Sequence, residues 1–406
     1  MKVLLVHNQY KTGTPSGEDA AVCNERQMLE KRGVQVFAFN RCNDDIDESS
    51  FFAKTAMAAN TIWSQRSRSE LRKFLRRVRP DVVHVHNTFA MLSPSVYGAC
   101  KAQGVPVVQT LHNFRFFCPA ALFLRDGKPC EECIDRSLLQ SVKHRCYRGS
   151  FTATATVASM LTLHRAIGTY SQLIDRYIAL THFARSKIIK GGIADHKVVL
   201  KPNFVPDPPA AGNGGGGYVA YVGGLLKSKG TETLVAAWRA LPMVKLKIVG
   251  DGELRTQCEA IARRENLNIE FTGMQNRSAV LKIIANAEIL VIPSEWYEGF
   301  PMVIAESFAC GTPVLASRIG SLEELVQDDV MGKQFTAGDP KELAEGVRRM
   351  LADPAGLRRM RANARSYFDN HLTEQHNYTQ LLSIYSDVIE ERALSDVETR
   401  PARKSD

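Results

Sequence analysis

The stretch Ile289-Leu-Val-Ile-Pro-Ser-Glu-Trp-Tyr-Glu-Gly-Phe-Pro-Met-Val-Ile-Ala-Glu306 decides the fold. Its first residues form a short β-branched apolar run, the pattern of a strand buried on both faces. From Met302 the chain reads as a helix, entered through a Gly-Phe-Pro turn. Strand, loop and helix in that order are the unit of a parallel α/β sheet. Glu298 lies in the loop and Glu306 in the helix. A helix N-terminus presents free backbone N–H groups and the positive end of the dipole, which suits an anionic or hydroxyl-rich ligand.

Outward from that stretch the same alternation recurs. Upstream of it, Tyr218–Val222, Leu246–Val249 and Ile269–Phe271 read as strands, and Pro313–Ala316 follows it. A first series is made of Lys2–His7, Val34–Phe39, Asp81–His86, Val105–Thr110, Arg176–Leu180 and Val198–Leu200. Between the series lies Pro206-Asp-Pro-Pro-Ala-Ala-Gly-Asn-Gly-Gly-Gly-Gly217, which cannot hold a regular element. The expected fold is α/β, with two Rossmann-like doubly wound domains facing across a cleft. The expected boundaries are 1–204 for the first domain, 205–217 for the linker and 218–375 for the second. A helix over 376–394 that crosses back and a polar, frayed tail over 395–406 complete the chain.

With 406 residues, 44% hydrophobic and 23% charged, the composition is that of a globular protein too long for one ordinary core. No apolar run reaches the length of a membrane span, and the first residues read as a strand rather than a leader, so the cytoplasm is the expected location. The net charge of +9 is uneven: residues 1–203 hold 29 Lys and Arg against 16 Asp and Glu, residues 204–406 hold 23 against 27. A basic first half points to an acidic partner, such as phospholipid headgroups or a lipid pyrophosphate. No nucleic-acid motif accompanies the charge, so nucleic acid is not an expected partner.

Tyr221-Val-Gly-Gly-Leu-Leu-Lys-Ser-Lys-Gly-Thr231 is the second motif. Glycines open the backbone and Lys229 precedes a helix, a combination that can cradle phosphate. With Glu298 and Glu306 at the E-x7-E spacing, the chain resembles the retaining glycosyltransferases of family 4, and the resemblance extends from Lys2 to about Tyr385. It implies a GT-B type fold and a nucleotide-sugar donor as co-substrate, with no cofactor and no catalytic metal. Gly223, Gly224, Lys227 and Lys229 would hold the donor diphosphate, Glu306 the ribose, and Glu298 with Gly299, Phe300 and Pro301 the sugar hydroxyls. Gly224 stands where the family has an arginine, and Lys227 is the candidate replacement charge. Gly17 ends a glycine-containing loop, Gly13–Gly17, that matches the family's loop over the donor phosphate and acceptor. His112, at the end of a strand, matches a histidine that contacts the donor sugar. The expected catalytic set is therefore His112, Glu298 and Lys229.

Other features admit two readings. His84 and His86 alternate along a buried strand, as core or supporting residues on one reading and as groups of the site itself on the other. Cys118, Cys130, Cys133 and Cys146 have the spacing of a structural zinc site, or are unliganded thiols. The basic helix Ser64–Arg79 has either a solvated face or a membrane-docking one. The resemblance implies a hexosyltransferase acting on a glycan or lipid-linked acceptor in surface polysaccharide synthesis, and the basic first half adds the expectation of peripheral attachment to the inner face of the plasma membrane. A sugar-nucleotide 2-epimerase on the same fold and a non-catalytic glycan-binding protein are the alternatives.

Overall fold

A computed structural model describes residues 1–13, 16–47 and 50–398. Strands β1 (Lys2–Gln9), β2 (Gln35–Cys42), β3 (Val82–Asn87) and β4 (Val107–Leu111) begin the first sheet. A separate hairpin, β5 (Leu124–Arg125) and β6 (Lys128–Pro129), follows, and β7 (Arg176–Ala179) with β8 (Val198–Leu200) completes the sheet. Its order is β2-β1-β3-β4-β7-β8, with every pairing parallel.

The second sheet contains β9 (Tyr218–Val222), β10 (Lys245–Val249), β11 (Ile269–Gly273), β12 (Ile289–Ile292), β13 (Val314–Ser317) and β14 (Gly332–Phe335). Its order is β11-β10-β9-β12-β13-β14, again all parallel. Val3, Leu5 and Val82 face one core and Leu4, Val83 and Val85 another, because alternate residues of a strand point to opposite faces. Both faces are covered, which is why these strands read as continuous apolar runs. This is the GT-B architecture of two Rossmann-like domains.

Strand order reverses between β1 and β3 in the first sheet and between β9 and β12 in the second. Adjacent crossovers leave in opposite directions there and open a crevice at the carboxyl ends. Both crevices face the same cleft: the carbonyl oxygen of His112, just past β4, meets Gly299, just past β12.

The Pro/Gly stretch holds no regular element, yet it is docked rather than loose. Gly212 N–H donates to Cys310 O at 2.8 Å and Gly216 N–H to Asn286 O at 3.0 Å. The helix Glu374–Glu398 buries Leu381, Ile384, Tyr385 and Val388 against Val3, Leu5 and Met28 of the first domain. It continues past Leu394, so residues 395–398 are helical rather than part of a frayed tail, and 399–406 lie outside the described residues. Strand β14 and the hairpin were not expected. Gly332-Lys-Gln-Phe335 has no alternation to announce it, and each hairpin strand is two residues long. No helix among the described residues is long and apolar enough to cross a membrane.

Candidate active site

Two loops clasp at the switch point of the second sheet. After β9 the chain runs through Gly223 and Gly224 into a 3-10 turn, Lys227–Lys229, and a helix, Thr231–Trp238. Gly230 between them has φ +68°, and a Cβ there would overlap the carbonyl oxygen of Pro293. Only glycine permits that approach. From the β12 loop, Glu295 N–H donates to Ser228 O at 2.8 Å.

Glu298 is buried at the centre. Its Oε1 accepts from Lys229 Nζ at 2.7 Å, Ser294 Oγ at 2.7 Å and Trp296 Nε1 at 2.9 Å. No protein donor among the described residues takes Oε2. Lys229 also lies over the Trp296 ring, 5.2 Å from its centroid. Phe300 is buried, and Pro301 stands at the N-cap of the helix Met302–Ala309 with no side-chain cap bond. On that helix, burial raises the proton affinity of Glu306 against the opposing pull of Arg277. The structure thus joins Lys229 to Glu298 directly, a contact the two separate motifs did not announce. Ser294 and Trp296 were also missed, although both lie inside the quoted segment.

Lys227 does not join this cluster. It is exposed on the 3-10 turn, with no partner among the described residues. Gly224 has φ outside the left-handed region, and a Cβ there would meet Leu226 at 3.5 Å and the Asp251 carbonyl oxygen at 3.9 Å, both ordinary contact distances. A side chain at that position is therefore compatible with the backbone.

Across the cleft, a Cβ on Gly299 would sit 2.5 Å from His112 O. His112 Nε2 lies 3.0 Å from His86 Nδ1. Beside it, Asn113 Nδ2 donates to Glu18 Oε2 at 3.1 Å, and the Tyr10 hydroxyl stands 3.4 Å from the same oxygen. Burial, then the charge of Asp19, pushes the Glu18 carboxyl up to about 8. Glu18 opens the helix Gly17–Lys31, next to Gly17, where the sequence suggested only a helix start. Gly17 has open space around it, and residues 14 and 15 of its loop lie outside the described residues.

The cleft is also bridged at its edge. Glu324 of the second domain accepts the N–H groups of His182 and Phe183 at 2.8 and 2.7 Å, capping the helix His182–Lys190 of the first. Tyr297 OH donates to Glu131 Oε1 at 3.2 Å. Glu131 belongs to the cysteine-bearing excursion, which thereby reaches the residue next to Glu298. Burial, then the neighbouring Cys118, raises the proton affinity of the Cys133 and Cys146 thiols, with Cys133 pushed up to about 12. Among the described residues the one set of three ligating atoms within 4.8 Å of one another is Glu25, His84 and His86, so the sulfurs do not converge as tightly as a zinc site draws them.

Arg72, Lys73, Arg76 and Arg77 of the helix Gln65–Val78 are exposed, while Leu71, Leu75 and Val78 are buried. Arg77 lies over Phe74, and Arg66 pairs with Glu70 at 2.9 Å.

Comparison with known proteins agrees with this layout. The profile of Glycosyltransferase Family 4 matches residues 20–207, and that of Glycosyl transferases group 1 matches 209–367. A D-inositol 3-phosphate glycosyltransferase of Segniliparus rotundus is 33% identical over 385 residues, 86% of this chain and 80% of that one. An uncharacterized glycosyltransferase of Methanocaldococcus jannaschii is 34% identical over 143 residues. That match takes in 33% of this chain and 36% of the relative, about a third of either. In structure, an Anabaena protein solved in complex with UDP superposes with a TM-score of 0.66 at 17% identity, over 95% of this chain and 100% of that one. The chain belongs to the family 4 type of glycosyltransferases.

Proposed function

We propose that this protein is a retaining, metal-independent hexosyltransferase, taking the sugar from a nucleoside diphosphate donor to a hydroxyl of a glycan or lipid-linked acceptor in surface polysaccharide synthesis. The observation that carries the reading is the cluster Lys229–Glu298–Gly299 packed against His112 at the mouth of both crevices. Lys229 has three N–H bonds and uses one on Glu298, which leaves others for the donor diphosphate. The glycine loop and the helix starting at Thr231 add backbone N–H groups to the same anion. Glu298 Oε2 and the backbone of Gly299–Pro301 hold the sugar hydroxyls, and Glu306 accepts from the ribose. The likeness to a UDP-bound neighbour supports a nucleoside diphosphate as the donor's leaving group.

The acceptor oxygen attacks C1 from the face that the diphosphate leaves. The C1–O electron pair departs with the diphosphate, and the acceptor proton passes to a departing phosphate oxygen. Lys229 and the helix N-terminus stabilise the charge that develops there, a case of electrostatic preorganisation. Purified protein incubated with UDP-, GDP- and ADP-sugars, with and without acceptor, tests the reading. Slow hydrolysis of one donor, accelerated by acceptor and giving product of unchanged anomeric configuration, is the expected result. A new sugar nucleotide without acceptor would instead identify an epimerase, and no binding of any donor would leave a non-catalytic protein.

The exposed basic face of Gln65–Val78 supports docking on an anionic membrane from the cytoplasmic side, each cation contributing about 1 kcal/mol at low salt. Flotation with anionic but not neutral vesicles, lost as salt rises, is expected. A structural zinc on the four cysteines would have to draw the sulfurs together, and about one equivalent of metal in the purified protein is the corresponding measurement.

A further inference from the structure

A chain of buried polar groups runs behind His112. Lys201, at the end of β8, is almost fully buried, and its Nζ donates to Glu25 Oε2 at 3.0 Å and to Asn377 Oδ1 at 3.1 Å. Burial alone would raise the Glu25 carboxyl. The Lys201 ammonium, then His84, hold it well below the usual carboxylate range. Glu25 Oε1 stands 2.9 Å from His84 Nδ1 and 3.3 Å from His86 Nε2. His84 is already engaged, through Nδ1 with Tyr385 OH at 2.7 Å and through Nε2 with Thr110 Oγ1 at 2.8 Å. Glu25 Oε1 and His86 Nε2 are buried without a well-directed hydrogen bond of their own, and they face each other.

That pairing dictates where hydrogens sit. An ionised carboxylate only accepts, so the nitrogen facing it carries the hydrogen. Burial, then the neighbouring His84, pushes His86 down to about 3, so the ring is neutral and has one N–H, on Nε2. Its Nδ1 is then bare, and the facing His112 Nε2 must donate. His112 is held well below its ordinary value as well, by burial and then by His86, and its own Nδ1 is left bare. The two rings stack at 5.3 Å and 23°, which fixes the orientation together with the tautomer.

We propose that Lys201, Glu25 and His86 are positioning residues that lock His112 as its Nε2–H tautomer, with Nδ1 presented as an acceptor for a hydroxyl of the transferred sugar. The last clause rests on the reading that His112 faces the donor sugar. The rest stands on the chain itself. A divalent cation held by Glu25, His84 and His86 is the competing occupant. The Lys201 ammonium already supplies the positive charge beside the carboxylate, and Tyr385 already holds His84 Nδ1.

The test is the imidazole nitrogen spectrum of the full chain labelled with 15N-histidine, read with turnover and calorimetry. His112 is expected as the Nε2–H tautomer in the wild type. His86→Leu removes the acceptor and should give a tautomer mixture, with kcat lowered about tenfold or more and the affinity for free nucleoside diphosphate within about twofold. His86→Asn returns an acceptor oxygen near the Nδ1 position and should restore both tautomer and kcat. Glu25→Gln is the second route if His86→Leu fails to fold, because a neutral amide no longer dictates the His86 tautomer. A wild-type His112 with its hydrogen on Nδ1, an unchanged spectrum in His86→Leu, or one equivalent of metal lost in Glu25→Gln would overturn the proposal. Correct tautomers in a protein that turns over no donor would uphold the chain and reject the transferase reading instead.

Discussion

On the wall of the cleft that the second domain supplies, Lys229 and the residues Ser294, Trp296 and Glu298 meet from two adjacent loops. On the facing wall, Glu25, His84, His86, Thr110, His112, Lys201 and Tyr385 come from a helix, three strands and their ends, and a second helix more than three hundred residues downstream. The first wall is loop backbone with a few charges laid over it. The second is a packed interior in which ionisable groups replace apolar ones. The difference teaches that two crevices of similar topology can be furnished in unlike ways: one by local turns that approach a ligand, the other by long-range pairing that fixes how a side chain presents itself.

The junction of the walls is where the largest effect is expected. Gly299→Ala places a methyl group 2.5 Å from the His112 carbonyl, so the cleft must open by about an ångström. Displacement of that size in a reacting geometry costs about 100-fold in turnover. Steady-state kinetics together with a thermal melt check it, and near-wild-type kcat in a well-folded variant would separate the walls functionally.

Next is the ion pair on the loop wall. If Lys229 and Glu298 act as a unit, the double variant Lys229→Ala with Glu298→Ala should lose little more than either single one. The coupling should be about 0.5–3 kcal/mol, as for residues in direct contact. Additive losses in nucleoside diphosphate binding and turnover would show two independent roles.

Glu18 sharpens the contrast through pH. Its folded-state pKa, about 8, lies above the unfolded value, so the protonated form is favoured by folding. The stability that this group contributes is complete below the unfolded pKa and is lost as pH rises through about 8. Glu18→Gln should therefore flatten the fall in melting temperature between pH 5 and 9, the range set by that raised value. An unchanged slope would mean that the carboxyl is ionised throughout.

The smallest effect belongs to the diphosphate loop. Gly224→Arg meets no steric barrier and should tighten nucleoside diphosphate binding about tenfold by adding a planar cation beside Lys229. Lys227→Ala should change it by less than about twofold, because Lys227 points to solvent. Calorimetry ranks the two, and a large loss in Lys227→Ala would return that lysine to the site.

How much could be read in advance follows the same division. Strands β9 and β12, the Gly-rich turn and the E-x7-E segment are contiguous, so local pattern sufficed. So did the buried strands of the first sheet, whose ends fell within about two residues of those expected, with β1 and β2 running further. Glu25 and Lys201 gave no signal, since a glutamate in an amphipathic helix and a lysine after a strand are ordinary surface residues until the fold buries them together. His84 and His86 stood out only as polar residues in an apolar strand. The Lys229–Glu298 contact joins residues 69 apart that three crossovers bring together, and only tertiary structure supplies that pairing.

Finally, the polypeptide passes between the domains twice, and the two passages lie side by side. Val205 N–H donates to Leu372 O at 3.3 Å, and Asn377 Nδ2 to Pro202 O at 2.6 Å. Two tied threads define a line, as two pins do on a door. Crossings placed in this way would favour a swing of the two halves about that line over sliding or twisting. Lys201 and Asn377 stand at that axis, where a swing moves atoms least. The far edge, at Glu324 and Tyr297, travels furthest, so a single angle governs both how wide the cleft stands and whether its outer clasps are fastened.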